Sequence, residues 1–433
     1  MTDAAFVRNA EKEPREKTGA PLAEKNRFAS VFLEKTAPPS ADSASYRMRV
    51  LSFFAITFVV LGHMNFYAKG QLDVTLTEPL TFHGWFPYYS FHLPLFLFIS
   101  GYFFRDLPHD GTSFRALLRF LGKKAGKLLV PYYVLSGLSL LAVSWLRPKG
   151  QTPWDAFSWS DWLFGPWIKP CLITFSTPAW YLPALFLAEL FFLLLRESFH
   201  FVIRRSLPRE VALLAFTLAA GAGAVYFKET AAPSDTAVVY LRSVVMLFFM
   251  QVGALYRRHL EKHDRLKSGW YFLLVFLVQF LLIVLSGGSK LSPELYALVN
   301  FGKTGYPYFI GGLTGLMLWL RVSALAASLP RKSRLIAFIG ETTLYIMGLH
   351  TFSWYLFNSL IKLLRPRAAQ SALISGFSSV NAQTLYYCCT KDPRMILIYY
   401  VVGMALPLLC AWLMKSLFRF LRRGISLFST GRS

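Results

Sequence analysis

The sequence has few of the residues that build cross-links, metal sites or nucleotide sites. It contains four cysteines, at positions 171, 388, 389 and 410, and no two of them stand in a Cys-x-x-Cys spacing. We therefore expect neither a disulfide framework nor a bound metal. No Gly-x-x-x-x-Gly-Lys-Ser/Thr phosphate loop is present, which argues against an ATP-driven pump. Acidic residues are also scarce, with 23 Asp+Glu against 46 Lys+Arg.

Apolar residues are abundant instead. The 433 residues are 55% hydrophobic and include 40 phenylalanines, and the mean hydropathy is +0.42. A bilayer core of about 30 Å needs about 20 apolar residues per helix. Windows of that kind predict an all-α polytopic membrane protein, a bundle of about ten transmembrane helices. The predicted spans are 50-67, 85-104, 128-146, 178-195, 211-227, 238-256, 270-287, 306-326, 335-361 and 395-418.

The basic residues indicate how the chain is oriented. With these spans, 33 of the 46 Lys+Arg lie on one side and 12 on the other, while Arg242 lies within a span. Because cytoplasmic loops carry the excess of basic residues, both termini are predicted to be cytoplasmic. This accounts for the net charge without nucleic acid as a partner. We predict a disordered cytoplasmic tail over 1-46 rather than a signal peptide, a transmembrane domain over 47-423 and a C-terminal tail over 424-433.

Three histidines lie within apolar spans and are predicted to share one depth. A helix rises about 1.5 Å per residue, so His63 and His350 lie about 20 and 22 Å from the cytoplasmic ends of their spans. His92 lies about 10 Å below the outer surface, which is again about 20 Å from the inside. A neutral imidazole is a natural general base in water-poor surroundings. The alternative for each is a plain interhelical hydrogen bond.

Three further polar residues within spans are candidate substrate or channel residues. Ser100 lies two turns below His92 and is predicted to line a channel. Glu189 lies near mid-span, where it orients a histidine, holds a proton, or makes a protonated hydrogen bond between helices. Arg242 is four residues below an outer boundary, so it either contacts substrate or extends to the interface.

A basic cluster lies just inside the third span. It consists of Arg119, Lys123, Lys124 and Lys127, followed by Pro131. Basic side chains at a cytoplasmic helix end suit a phosphorylated cytosolic ligand. The alternative is anchoring to anionic lipid.

Four segments form a pattern that is specific in its order and spacing. They are LSFFAITFVVLGH (51-63), FHLPLFLFISGYFF (91-104), KAGKLLVPY (124-132) and FIGETTLYIMGLH (338-350), with TPAWYLPALF (177-186) in support. Together they resemble the acyltransferase 3 family of integral membrane acyltransferases, most closely its branch similar to fucose 4-O-acetylase. The resemblance implies a ten-helix bundle that moves an acyl group, usually acetyl from cytosolic acetyl-CoA, to a hydroxyl of a glycan or lipid-linked sugar. It implies that His63 is the essential first-helix histidine, and that Lys124 and Lys127 meet the CoA donor.

The hypothesis is acyl transfer with His63 as base, helped by His92, in a multi-pass protein of a bacterial cytoplasmic membrane. The chain departs from the family at Ser52, where a basic residue is usual, and at Arg49, where an acidic one is common. Arg47 or Arg49 is the candidate replacement cation. The alternatives are a proton-coupled secondary transporter or exporter of a small polar solute and a catalytically inactive scaffold of the same fold.

Overall fold

The structure is a computed structural model, and it describes residues 41–64, 66–68, 71–73, 85–108, 113–146, 159–170, 177–286, 293–364 and 393–430. Apart from turns and connections, these residues are helical, with one antiparallel hairpin of β1 (Phe66–Ala68) and β2 (Gln71–Asp73) and an isolated β-bridge between Glu294 and Val299. The predicted all-α class is confirmed. Of the predicted N-terminal tail, 1–40 lies outside the described residues and 41–46 is helical. The last helix continues to Thr430, into the predicted C-terminal tail.

The described residues form twelve α-helices. Short 3-10 turns at Thr177–Trp180 and Glu261–His263 and a π-helical turn at Tyr256–Leu260 lie between them. The helices are α1 (Ala41–His63), α2 (Tyr88–Tyr102), α3 (Ser113–Leu146), α4 (Trp159–Ile168), α5 (Tyr181–Val202), α6 (Ser206–Ala231), α7 (Asp235–Leu255), α8 (Ser268–Leu285), α9 (Tyr306–Ser328), α10 (Arg334–Glu341), α11 (Thr343–Leu364) and α12 (Pro393–Thr430).

The protein is an integral, multi-pass membrane protein. Within the described ranges, seven helices are long and apolar enough to cross a bilayer, or eight if α10 and α11 form one broken span. The sequence predicts about ten. The predicted span 85-104 contains α2, whose 15 residues extend only about 22 Å. The predicted span 128-146 is the second part of α3, which is 34 residues long and begins with a basic stretch.

The predicted span 335-361 is not one straight helix. Helices α10 and α11 meet at an angle of 81°. The bend follows Gly340, which packs on the backbone of α1 so closely that a Cβ there would lie 2.1 Å from the carbonyl oxygen of Arg49. The predicted depth of 22 Å for His350 counted residues of α10 as part of a straight path, and the structure has no straight helix over 335-361.

Helix α2 lies at the centre of the bundle, where it packs against α1, α7 and α9. Twelve of its 15 residues are buried, as expected for a helix that is apolar all round. Its contact with α7 is backbone to backbone. A Cβ on Gly101 would lie 1.8 Å from the carbonyl oxygen of Met250, and one on Gly253 would lie 2.1 Å from that of Phe98. Only glycine fits at these two positions.

Ion pairs gather the predicted cytoplasmic segments at one end of the bundle. Arg196 on α5 binds Asp106 at 2.6 Å and the fully buried Glu210 at 2.7 Å. Arg47 on α1 binds Glu261 at 2.6 Å. These residues belong to four segments that the charge distribution assigns to one side, so the structure brings that side together.

Asp106 lies between α2 and α3 and is fixed in its ionised form. Burial disfavours its charge, but hydrogen bonds from Arg196 and Arg258 outweigh burial. They hold the pKa of Asp106 well below the usual range of an aspartate. The carboxylate therefore joins the α2–α3 connection to α5 and to the turn after α7.

Candidate active site

His63 and His350 form a pair. His63 is the last residue of α1, and His350 lies on α11. The Nδ1 atom of His63 is 3.1 Å from the Nε2 atom of His350, and the ring centroids are 5.1 Å apart. The two rings therefore lie side by side, as residues at a common depth can. They are 287 positions apart in the sequence.

The hydrogen-bond partners define the tautomers of the pair. The Nδ1 atom of His350 is 2.7 Å from the carbonyl oxygen of Ile346. Because a carbonyl can only accept, this nitrogen carries the hydrogen and the Nε2 atom of the neutral ring is an acceptor. His63 therefore donates its Nδ1–H to His350. The Nε2 lone pair of His63 is left to accept a proton.

The two rings differ in exposure. His350 is fully buried, and its ring lies edge-to-face on Trp354 with centroids 5.2 Å apart. Trp354 donates its indole N–H to the carbonyl oxygen of Tyr399 at 2.8 Å, which ties α11 to α12. His63 is half-buried. The ring of His63 is therefore the more accessible of the two.

His92 lies beside the pair on α2 and is 6% exposed. It donates its Nδ1–H to the carbonyl oxygen of Tyr88 at 2.5 Å, and it is close enough to His63 for the rings to interact electrostatically. Tyr89 packs edge-to-face on His92 and donates its hydroxyl to the carbonyl oxygen of Gly62 at 2.9 Å. The structure thus brings all three predicted histidines together, with His92 as a buried neighbour.

Glu189 pairs with a lysine of the basic cluster. Its Oε1 atom lies 2.6 Å from the Nζ atom of Lys124, and the two side chains are 5% and 24% exposed. The ammonium also lies 5.9 and 5.5 Å from the ring centroids of Phe104 and Phe120. The prediction that Glu189 orients a histidine is not what the structure shows. Glu189 instead draws Lys124 into the bundle, away from the headgroup region that lipid anchoring requires.

The other three basic residues of the cluster lie on an exposed face of α3. Arg119, Lys123 and Lys127 follow each other at spacings of four residues, so they lie in one row along the helix. Between them, a Cβ added at Gly122 or Gly126 would meet nothing within 4 Å. We call these three residues the basic row. It is an open, cationic surface, and it leads to the buried pair of Lys124 and Glu189.

The comparison with known families identifies the chain. The model of the acyltransferase domain called acyltransferase 3 matches residues 46–421. The chain belongs to the acyltransferase 3 family. This supports a membrane acyltransferase, and the match covers nearly the whole of the transmembrane domain predicted over 47-423. No curated protein and no solved structure shows significant similarity to the chain. The closer likeness to the fucose 4-O-acetylase branch stays a prediction.

The position at which this chain departs from the acyltransferase 3 family does not carry a cation. Ser52 donates its hydroxyl to the carbonyl oxygen of Met48 within α1 at 2.9 Å. Arg47 is held by Glu261, and Arg49 is bound to Glu341 at 3.1 Å. Both arginines lie about 21 to 24 Å along α1 from the histidine pair. Their ion pairs fasten the end of the helix, and the replacement of the missing cation by either arginine stays a prediction.

The structure gives the remaining predicted residues different surroundings. Arg242 does not extend to the interface as a snorkelling side chain, because it is 1% exposed. It donates to the carbonyl oxygens of Pro170 and Tyr296 and lies 4.8 Å from the ring centroid of Trp180, so it fastens two outer connections. Ser100 is half-buried on α2, next to the contact with α7. A channel role for either stays a prediction.

Sequence reasoning missed Tyr89, whose ring packs on His92, and Trp354, whose ring packs on His350. A signal for both existed. Tyr89 precedes His92 by three positions and Trp354 follows His350 by four, spacings that place side chains on one helix face. Among the described residues, no three His, Cys, Asp or Glu side chains are grouped so that they could hold a metal ion.

Proposed function

We propose that the protein transfers an acetyl group from cytosolic acetyl-CoA to a hydroxyl of a cell-surface or lipid-linked glycan, in a bacterial cytoplasmic membrane. It needs no bound cofactor, since acetyl-CoA is a substrate. The observation that carries the proposal is the contact of His63 with His350. In this pair His63 offers a nitrogen lone pair, while its other ring nitrogen donates to the buried His350. The chain that carries the pair belongs to a family of acyltransferases.

In the proposed step, the Nε2 atom of His63 takes the proton of the glycan hydroxyl as its oxygen attacks the thioester carbonyl carbon. The C–S bond breaks, and the CoA thiolate leaves and receives a proton to become the free thiol. His63 becomes an imidazolium during this step. Its Nδ1–H then donates a charge-assisted hydrogen bond to His350, which is stronger than the bond between neutral rings. His92 adds a second neutral imidazole next to the reacting groups.

The donor approaches from the basic row. The phosphates of acetyl-CoA are anionic, and Arg119, Lys123 and Lys127 offer three exposed cations in line. The excess of basic residues on that side supports a cytoplasmic location for the row and for both termini. The acyl-bearing arm then extends past Lys124 toward the histidines, while the glycan reaches His63 from the outer side.

The test is transfer of radiolabelled acetyl from acetyl-CoA in membranes that contain the protein, with recovery of label in carbohydrate. His63→Ala is expected to abolish transfer while the protein still inserts. His259→Ala is the matched control, since His259 contacts Ser206 at 3.0 Å far along the chain from the pair and is expected to keep full transfer. Full transfer by His63→Ala would refute the base assignment.

The same membranes distinguish the alternatives. A proton-coupled transporter would move a solute across vesicles without consuming acetyl-CoA. An inactive scaffold would leave all label in the donor. Either result would refute the proposed function.

A further inference from the structure

Ten buried side-chain nitrogen and oxygen atoms have no hydrogen-bond partner within the described part of the chain, and three of them bear on the candidate active site. These three are the hydroxyl oxygens of Tyr181 and Tyr308 and the Oε2 atom of Glu189. The three residues are 3%, 1% and 4% exposed. Native proteins leave few buried polar groups unsatisfied, because each one costs free energy unless water or a ligand binds it. Unsatisfied atoms at these three positions indicate that something polar binds there.

Tyr181 lies within electrostatic range of both Glu189 and Tyr308, and no hydrogen bond satisfies the three atoms. Tyr181 and Glu189 lie on α5, eight residues or about 12 Å apart along the helix, and Tyr308 comes from α9. We call these three residues the polar line. It runs lengthwise through an apolar interior.

The polar line connects the two parts of the candidate active site. At one end, Glu189 holds Lys124 through its other oxygen. At the other end, the ring of Tyr181 packs on Phe96 with centroids 6.1 Å apart. Phe96 lies one turn from His92 on the same face of α2. Through these two contacts, α5 joins the basic cluster to the helix that carries His92.

The chemistry of the polar line selects one class of ligand group. A carboxylate can only accept hydrogen bonds, whereas a phenolic hydroxyl can donate to a carbonyl oxygen. A secondary amide offers both an N–H and a C=O. We infer that the polar line binds the amide groups of the pantetheine arm of the acyl-CoA donor. The inference rests on the proposed function, since it assumes that an acyl-CoA is the donor.

The experiment measures the affinity of the purified full-length protein for three probes. Adenosine 3′,5′-bisphosphate carries the phosphates without the arm, S-acetylpantetheine carries the arm without the nucleotide, and acetyl-CoA has both. Tyr181→Phe and Tyr308→Phe each remove one hydroxyl. Each is expected to lower the affinity for S-acetylpantetheine and for acetyl-CoA by about threefold to tenfold, the effect of losing one hydrogen bond. Binding of the bisphosphate is expected to stay unchanged.

Two controls complete the design. The double variant Lys123→Glu/Lys127→Glu is expected to show the opposite pattern. It should bind the bisphosphate and acetyl-CoA more weakly and bind S-acetylpantetheine with unchanged affinity. Tyr399→Phe also removes a buried hydroxyl, but one that is bonded to Asn358 at 2.5 Å. It is expected to lower the melting temperature and leave the affinities alone. Tyr181→Phe and Tyr308→Phe are expected to keep the melting temperature of the ligand-free protein, because they break no bond within the chain.

The outcomes separate the inference from the proposed function. If the wild-type protein binds none of the three probes, the proposed donor is wrong. If it binds acetyl-CoA and both tyrosine variants bind all probes as the wild type does, the inference alone is refuted. An equal loss for all three probes would also refute it, because a general disturbance of the fold would then explain the result.

Discussion

Replacing His350 by leucine tests the central geometry without touching the group that meets substrate. Leucine is apolar and removes the acceptor of the His63 Nδ1–H. In the ground state this is a bond between neutral rings, of about 0.5–1.5 kcal/mol, but a bond from a charged donor contributes about 1.5–3 kcal/mol. The variant already lacks the neutral bond in the ground state, so kcat is expected to fall by the difference between the two energies. That difference is about 1–1.5 kcal/mol, or about 5-fold to 13-fold in rate. The KM values for both substrates should change little.

The assay is the rate of label transfer from acetyl-CoA to carbohydrate at saturating donor, normalised to inserted protein. His350→Gln is the conservative variant, because its side-chain carbonyl retains an acceptor, and it is expected to recover part of kcat. Unchanged kcat in His350→Leu would refute the idea that His350 stabilises the charged form of His63. A rise in KM alone would refute it too, since a group that acts on the developing charge affects kcat.

Gly101→Ala is expected to abolish the folded, monodisperse protein in detergent, because its Cβ would lie 1.8 Å from the carbonyl oxygen of Met250. Gly223→Ala is the control, since nothing lies within 4 Å of the added Cβ, and a folded Gly101→Ala would contradict the packing of α2. Asp106→Asn is expected to lower the melting temperature at neutral pH. The pKa of Asp106 is lowered in the folded protein, so its stabilisation is full above the unfolded pKa of about 3.9 and decreases as the pH falls below it. The difference in melting temperature between wild type and Asp106→Asn should therefore shrink below about pH 4, and a difference that widens there would contradict the ion pair.

The histidine cluster could be predicted because the bilayer limits where a polar side chain can lie. Counting residues from a span end gives a depth, and His63 and His92 are close in space as that count predicts. For His350 the count assumed a straight span, whereas α10 and α11 meet at 81°. The contact with His63 arises nonetheless, since α11 itself packs against α1.

The partner of Glu189 could not be predicted from the sequence. Hydropathy places Glu189 near mid-span but says nothing about which way it faces or what lies opposite. The rotation of α5 and the approach of α3 decide that Glu189 meets Lys124 rather than a histidine. The same holds for Arg242. Its acceptors Pro170 and Tyr296 lie in connections between helices, and the sequence pattern does not predict where those connections run.

By itself, the sequence determined the membrane character, the helical class and the family, because hydrophobic composition, span length and local motifs are properties of short segments. Only the tertiary structure decided which nitrogen of His63 is available as a base, since that depends on His350, 287 positions away. It also decided that one lysine of the basic cluster faces inward while its neighbours face outward. Pairing between distant helices depends on their packing and rotation, and these are properties of the whole bundle.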